Sequence, residues 1–574
     1  MVSVQKINRA LILLLVLVLY AYAVDSASVS LSAEEIENLV IKGEPLALLA
    51  TWVLFVSLLA LQRKRLFAML ASIKKRAWLQ LLLIFLLALT LRELSPHTHR
   101  VYFDEDIYLD MAKQISLNLS SCLCDYGNAT SCFRCEMMKW PAGHPFVFAV
   151  MFKLFGVSET LAFHFASLLG ALSCVIIFLL AYLLSGNEKL SLYAALILAL
   201  IPIHILWSST VAAEPTLLFF TILAACFILL HRRMGSAASF ATAMLSVVLA
   251  LYVKSEAMVF LLPSLAAFAL FANPAEDLAK PKNLAAIAVA MLLLFPCALH
   301  FSYASKFESW GARGEKISLK YLAPNLAENT KFWLGYEHWN KGVWQGKQLY
   351  HPLAFTVLAM LGGFYLLKRN RIRIFALLFL WFFSFFVLYL FFYAGSVTYG
   401  VDVRYVLSQL PPFSLLAAFG LEAIETAARR IIPSHGAFYA ACIIPIVFFL
   451  PYLSLIQTPA NEIEEASDAR TYHDFAVSFA KNFTEDCYFI SHVSSIYSVL
   501  NKGHMQIWYV YRPEFNEIIR KNCVVFDEGE WCAIKVRESG SCGLFKNYEL
   551  KLLARFNNTK HNKVYSFYRV LPTD

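Results

Sequence analysis

Charge is scarce in this sequence. Only 16% of its 574 residues are Asp, Glu, Lys or Arg, against 59% that are hydrophobic, and the mean hydropathy is +0.59. A soluble protein of this length cannot hide so much apolar surface. A bilayer can absorb the excess, because each spanning helix needs about 20 apolar residues and leaves no backbone group unpaired. Internal repeats of roughly 20–50 residues are missing, as are low-complexity tracts. There is thus no sign of the repeated halves on which many transporters are built. What charge there is sums to +9, but the basic residues gather in short loops between apolar runs, where they orient a membrane protein rather than meet a nucleic acid. The 47 Phe and 27 Tyr suit helix packing and interfacial belts.

The fold class expected is an all-α polytopic membrane protein of about thirteen spanning helices, with a small extracytoplasmic α/β domain at the C-terminus. Thirteen apolar runs bounded by breakers lie between residues 10 and 456. Loop 62–76 carries Arg63, Lys64, Arg65, Lys74, Lys75 and Arg76 with no acid, which assigns it to the cytoplasm. Counting spans from there puts residues 231–233, 368–373 and 429–430 on the same side. The sequons at Asn118, Asn128, Asn482 and Asn557 all fall on the opposite side. Residues 1–23 also fit a cleaved signal peptide, and its removal would leave every later orientation unchanged.

The expected organisation is residues 1–76 as extra N-terminal spans, 77–456 as the membrane catalytic domain and 457–574 as the α/β domain. Outer loops 95–143 and 304–350 are too long to be simple connectors, and functional residues tend to sit on such loops. Within the last segment, residues 467–482 read as helix, and 487–492, 523–527 and 532–536 read as strands. Cys174, Cys226, Cys297 and Cys442 fall in spans as small core residues. The other eight, Cys122, Cys124, Cys132, Cys135, Cys487, Cys523, Cys532 and Cys542, lie outside. There an oxidising compartment favours disulfides, although C-x-C…C-x-x-C also suits zinc.

Chemistry concentrates after the third span, at Val101-Tyr102-Phe103-Asp104-Glu105-Asp106-Ile107-Tyr108. Three adjacent carboxylates beside a membrane are costly to desolvate unless cations, a metal or a substrate meet them. One of them could serve as a general base on an acceptor hydroxyl, or help hold a divalent ion against a phosphate. The plain alternative is a solvated loop whose Asp104 or Asp106 caps a helix. More charges converge on that side: Lys139 and His144 in Lys139-Trp140-Pro141-Ala142-Gly143-His144-Pro145, Glu214 at a span entry, Lys254 and Glu256 in an outer turn, and Arg404-Tyr405. Singly, each has an ordinary explanation, as a carboxylate at a helix N-terminus or a snorkelling cation. Together on one leaflet they read as a site.

In this order the motifs resemble the GT-C glycosyltransferases, and most closely the branch of protein O-mannosyltransferases, aminoarabinose transferases and lipopolysaccharide sugar transferases. The resemblance runs from about residue 77 to 456. It is carried by Asp104-Glu105 with Tyr108, by Pro141–Pro145 followed by Phe155-Gly156, by Glu214 within residues 208–216, by Lys254, Glu256 and Pro263, and by Arg404-Tyr405 with Leu407 and Pro411. It implies an inverting transfer of a hexose or pentose from a polyprenyl-phosphate carrier to a protein, lipid or glycan acceptor on the outer face. The membrane would be the cell membrane, or the endoplasmic reticulum membrane in a eukaryote.

Carried across, Asp104 is the catalytic base with Glu105 beside it. Lys139, His144, Lys254 and Arg404 would neutralise the carrier phosphate, with Glu214, Glu256 and Tyr405 lining the site. If a divalent ion takes part, Asp104 and Glu214 would hold it. Two extra spans before the usual first one, the four-cysteine insert and the third acid Asp106 depart from the pattern. The rivals are an oligosaccharyltransferase, whose Trp-Trp-Asp-Tyr-Gly motif is missing, a transporter, and a non-catalytic scaffold.

Overall fold

A computed structural model describes residues 18–572 except 102, 272–273, 279, 305–314, 335–350, 398–399, 454–455, 457–463, 530–543 and 546. Most of the outer loop 304–350, Cys532, Cys542, the strand read at 532–536 and most of residues 1–23 therefore lie outside the described residues. The chain forms two compact units. One comprises residues 1–97, 139–144 and 163–461, and the other 98–138, 145–162 and 462–574.

The first unit is helical. Each apolar run of the sequence, as far as it is described, lies on helical backbone. Its first long helix, Ala33–Ala71, opens with a capping box in which Ser32 and Glu35 exchange hydrogen bonds and so satisfy amide groups that have no partner in the helix. Among the described residues, seven helices are long and apolar enough to cross a membrane, or eight when Glu188–Leu200 and Pro202–Ser208, bent by 64°, form one span. The sequence reading of about thirteen also counts Ala237–Leu251, Ser255–Phe271 and Leu353–Lys368. These belong to a class of 10–17 residues, short of the ~20 that a bilayer core needs. Pro202 explains the bend, since it cannot donate to the preceding turn.

Among the described residues, the second unit is built on a seven-stranded sheet: β1 (Leu123–Gly127), β2 (Cys132–Glu136), β3 (Cys487–Ser491), β4 (Gly503–Gln506), β5 (Cys523–Asp527), β6 (Tyr548–Asn558) and β7 (Lys563–Pro572). Their order is β2-β1-β4-β3-β5-β7-β6. Strand β3 runs parallel to β4 and β5, and the other pairs are antiparallel.

Alternate residues serve opposite faces. Ile490, Val524 and Phe526 pack with Phe515, Ile518 and Ile519 of the helix Phe515–Lys521. Phe489 and Val525 pack with Tyr472, Ala476 and Ala480, which recur every fourth residue along the helix Glu464–Asn482. The unit is not continuous in sequence, because β1 and β2 come from the first outer loop and extend the sheet at β4. The cysteines of that hairpin pair as Cys122–Cys135 and Cys124–Cys132, and Cys487–Cys523 joins β3 to β5. With all four hairpin cysteines in disulfides, the zinc alternative for them does not hold.

Candidate functional site

In the helical unit, four of the singled-out charges form one buried cluster. Glu214 follows the first residue of the helix Ala213–Met234. Its Oε1 accepts from Lys254 Nζ at 2.6 Å and from Arg404 Nε at 2.8 Å. Lys254 Nζ also lies 3.0 Å from Glu256 Oε1. The Tyr405 ring sits beneath both cations, 4.7 Å from Lys254 Nζ and 5.0 Å from the Arg404 guanidinium carbon, close enough for its π face to attract them. Burial disfavours the charge on Lys254, but Glu214 and Glu256 outweigh that and hold the ammonium well above the usual lysine range. Two cations on one carboxylate also repel a divalent ion, so the metal role considered for Glu214 finds no support in this geometry.

The Lys139–His144 segment reaches the same unit through backbone contacts. Gly143 N–H donates to Tyr252 C=O at 2.9 Å. A Cβ at Gly143 would fall 2.3 Å from that oxygen, which is why the motif carries glycine there. His144 is buried. Its Nε2 faces the Val211 carbonyl at 2.8 Å and its Nδ1 faces Thr216 Oγ1 at 3.0 Å. A carbonyl only accepts, so Nε2 carries a proton and donates to Val211. This ring clasps the motif segment to the backbone around Glu214. Lys139 is exposed, with its Nζ 4.7 Å from the Trp140 ring.

Asp104 and Glu105 belong to the second unit and open the helix Asp104–Asn118. The three adjacent acids separate by environment. Glu105 is fully buried, and its Oε1 accepts from the N–H groups of Arg100 at 2.7 Å and Val101 at 3.0 Å. Asp106 is buried beside His99 and His473. Asp104 alone of the three is only half-buried. The helix is fastened by Asp110, which accepts from Cys124 N–H at 2.7 Å and from Ser498 Oγ, and by Lys113, which donates to Ser498 C=O at 2.6 Å.

His99, Asp106, Glu159 and His473 bring four ligand atoms within 4.8 Å of one another. Burial opposes charge on His99, but the carboxylate of Asp106 and hydrogen bonds to Glu105 and Glu159 overcome it and raise the ring to about 10. Of these four, sequence reasoning singled out only Asp106. A lone histidine in an outer loop or on an amphipathic helix carries no spacing signal, and Glu159 reads as an ordinary first-turn acid.

A family model described as dolichyl-phosphate-mannose-protein mannosyltransferase matches residues 139–300. No curated protein sequence is significantly similar to the chain. Among solved structures, ArnT from Cupriavidus metallidurans bound to undecaprenyl phosphate is similar with a TM-score of 0.55 at 13% identity, covering 86% of this chain and 98% of that one. The apo state of the same protein gives 0.52 at 13% identity, with 85% and 97% covered. The Archaeoglobus fulgidus oligosaccharyltransferase with zinc and sulfate gives 0.46 at 13% identity, with 86% and 73% covered.

Proposed function

We propose that this chain is a membrane glycosyltransferase of the GT-C class, which moves a sugar from a polyprenyl-phosphate carrier to an acceptor hydroxyl on the outer face, with inversion; the partial family match and the shared fold support the class. Asp104 is the base in this reading. It takes the hydroxyl proton as the acceptor oxygen bonds to the anomeric carbon, and the bond from that carbon to the carrier phosphate breaks. Lys139, Lys254 and Arg404 offset the charge that builds on the departing phosphate, which fixed cations at an interface do well. Glu214 and Glu256 hold Lys254 and Arg404 in place, and Glu105 shapes the turn that leads into Asp104.

The observation that carries the assignment of Asp104 is the division of labour among three neighbouring acids. Glu105 and Asp106 are buried in contacts with backbone amides and histidines, whereas Asp104 keeps partial exposure at the start of its helix. The carrier class is supported by the relative of the same fold solved with undecaprenyl phosphate, and by a family model whose matched span contains Lys139, Glu214, Lys254 and Glu256. The test is transfer of radiolabel from a panel of polyprenyl-phosphate sugars to host membranes by purified wild type and Asp104→Asn. Transfer by wild type alone supports the reading, and equal transfer by both sinks the base assignment. Consumption of no donor by either protein would turn attention to a transporter or scaffold.

A further inference from the structure

Within the second unit, His99, Asp106, Glu159 and His473 come from four separate stretches of chain. They are the loop before the helix Asp104–Asn118, that helix's first turn, the start of the helix Glu159–Ser185 and the helix Glu464–Asn482. Both imidazoles turn Nε2 inward. His473 Nε2 lies 3.4 Å from Asp106 Oδ1 and 3.2 Å from Glu159 Oε1, and His99 Nε2 lies 3.8 Å and 2.6 Å from the same two oxygens. Tetrahedral zinc with bonds of about 2.0–2.1 Å sets its ligand atoms roughly 3.3 Å apart. Three of the four separations bracket that edge. The fourth, His99 to Glu159, is a direct hydrogen bond that would open by about 0.7 Å to admit an ion of that geometry.

Both outward nitrogens face carboxylates, Nδ1 of His99 at 3.3 Å from Glu105 Oε2 and Nδ1 of His473 at 3.7 Å from Asp474 Oδ1. Metal-bound histidines are usually oriented in this way by a carboxylate on the far nitrogen. Three of the side chains are at most 9% exposed, while that of Glu159 reaches 21% and leaves an entry for an ion. Two carboxylates balance a dication, and two imidazoles, which give up their Nε2 protons as the ion enters, complete a nitrogen and oxygen set that suits zinc and its neighbours better than calcium or magnesium.

We propose that His99, Asp106, Glu159 and His473 bind one divalent transition-metal ion, with zinc as the favoured occupant, and that the ion fastens the loop entering the helix Asp104–Asn118 to the C-terminal helix Glu464–Asn482. Its work is structural, because all four side chains converge on one another and the ion is fully ligated by protein. Nothing in it depends on the transferase reading, since the readout is metal content and coordination.

The test uses the full chain, purified in detergent through a tag without histidine and without chelator. Elemental analysis is expected to find about one zinc per chain, and X-ray absorption at the zinc edge a shell of nitrogen and oxygen near 2.0 Å with imidazole scattering. His99→Gln and His473→Gln should each lower the zinc content at least tenfold. His164→Gln, in the separate group of Glu93, His97 and His164, should leave it intact. Wild type that holds no zinc after incubation with zinc sulfate and desalting overturns the proposal. So does a sulfur shell, or zinc lost only with His164→Gln. Should a variant fail to fold, the absorption spectrum of wild type decides alone.

Discussion

Glu44 Oε2 accepts a hydrogen bond from the backbone N–H of Ala142 at 2.8 Å, and its other oxygen lies 2.9 Å from His300 Nδ1. A fully buried carboxylate in the helix Ala33–Ala71 thereby holds the segment that carries Lys139 and His144. The residues before the resemblance begins are thus tied to its motif. Glu44→Ala strands the Ala142 amide and the His300 ring, a loss of about 1–3 kcal/mol. The expected outcome is faster hydrogen exchange at residues 139–146 and a raised KM for the donor. Unchanged exchange there would remove Glu44 from this role.

The three adjacent acids should differ sharply on substitution. Asp104→Asn should lower transfer by about 10²–10⁴-fold, the usual worth of a general base, with the melting temperature little changed. Glu105→Gln should lose stability first, because one charged acceptor serves two backbone amides and such bonds contribute about 1.5–3 kcal/mol each. Thermal unfolding beside the transfer assay separates the two effects.

Glu214 compensates two buried cations at once. Glu214→Gln leaves Lys254 and Arg404 without it, which by analogy with other broken buried pairs costs about 3–5 kcal/mol. Adding Lys254→Met to Glu214→Gln should recover part of that stability, because one stranded charge goes with it. A double variant less stable than the single one would show that the ion pair is not what Glu214 supplies.

Asp527 should make the second unit more stable in mild acid. Burial pushes its carboxyl up to about 6, against the hydrogen bonds it accepts from Tyr472, Tyr497 and Ser491. A carboxyl raised from 3.8 favours folding below its unfolded value, and that contribution is lost as pH rises through about 6. The shift corresponds to about 3 kcal/mol. Protection factors along Cys487–Ser491 and Cys523–Asp527 in the full chain, with the intrinsic pH dependence of amide exchange divided out, should therefore be raised by Asp527 at pH 4.5 relative to pH 7.5. Asp527→Asn should lose only the share due to Asp527, read as the change between wild type and variant, because other carboxylates contribute equally to both proteins.

The membrane helices were legible because each is a local fact: an apolar run records its own solvent, whatever it packs against. The motif residues Glu214, Lys254, Glu256, Arg404 and Tyr405 were legible because the charge pattern put them on one side, and in the helical unit they do touch. The role of His144 was not. Its clasp depends on the carbonyl of Val211 and the hydroxyl of Thr216, about seventy positions away, and neither has a sequence signature.

By itself, then, the sequence determined the membrane class, the helical runs and the residue types able to handle a phosphate and a hydroxyl proton, since hydropathy and ionisation belong to each residue. Tertiary structure alone decided that β1 and β2 leave the first outer loop to extend a sheet made mostly of residues beyond 486. It also decided which of three neighbouring acids keeps partial exposure, and that His99, Asp106, Glu159 and His473 meet. Those outcomes turn on contacts between stretches as much as about 380 positions apart, and a contact between distant stretches leaves no periodicity in either one.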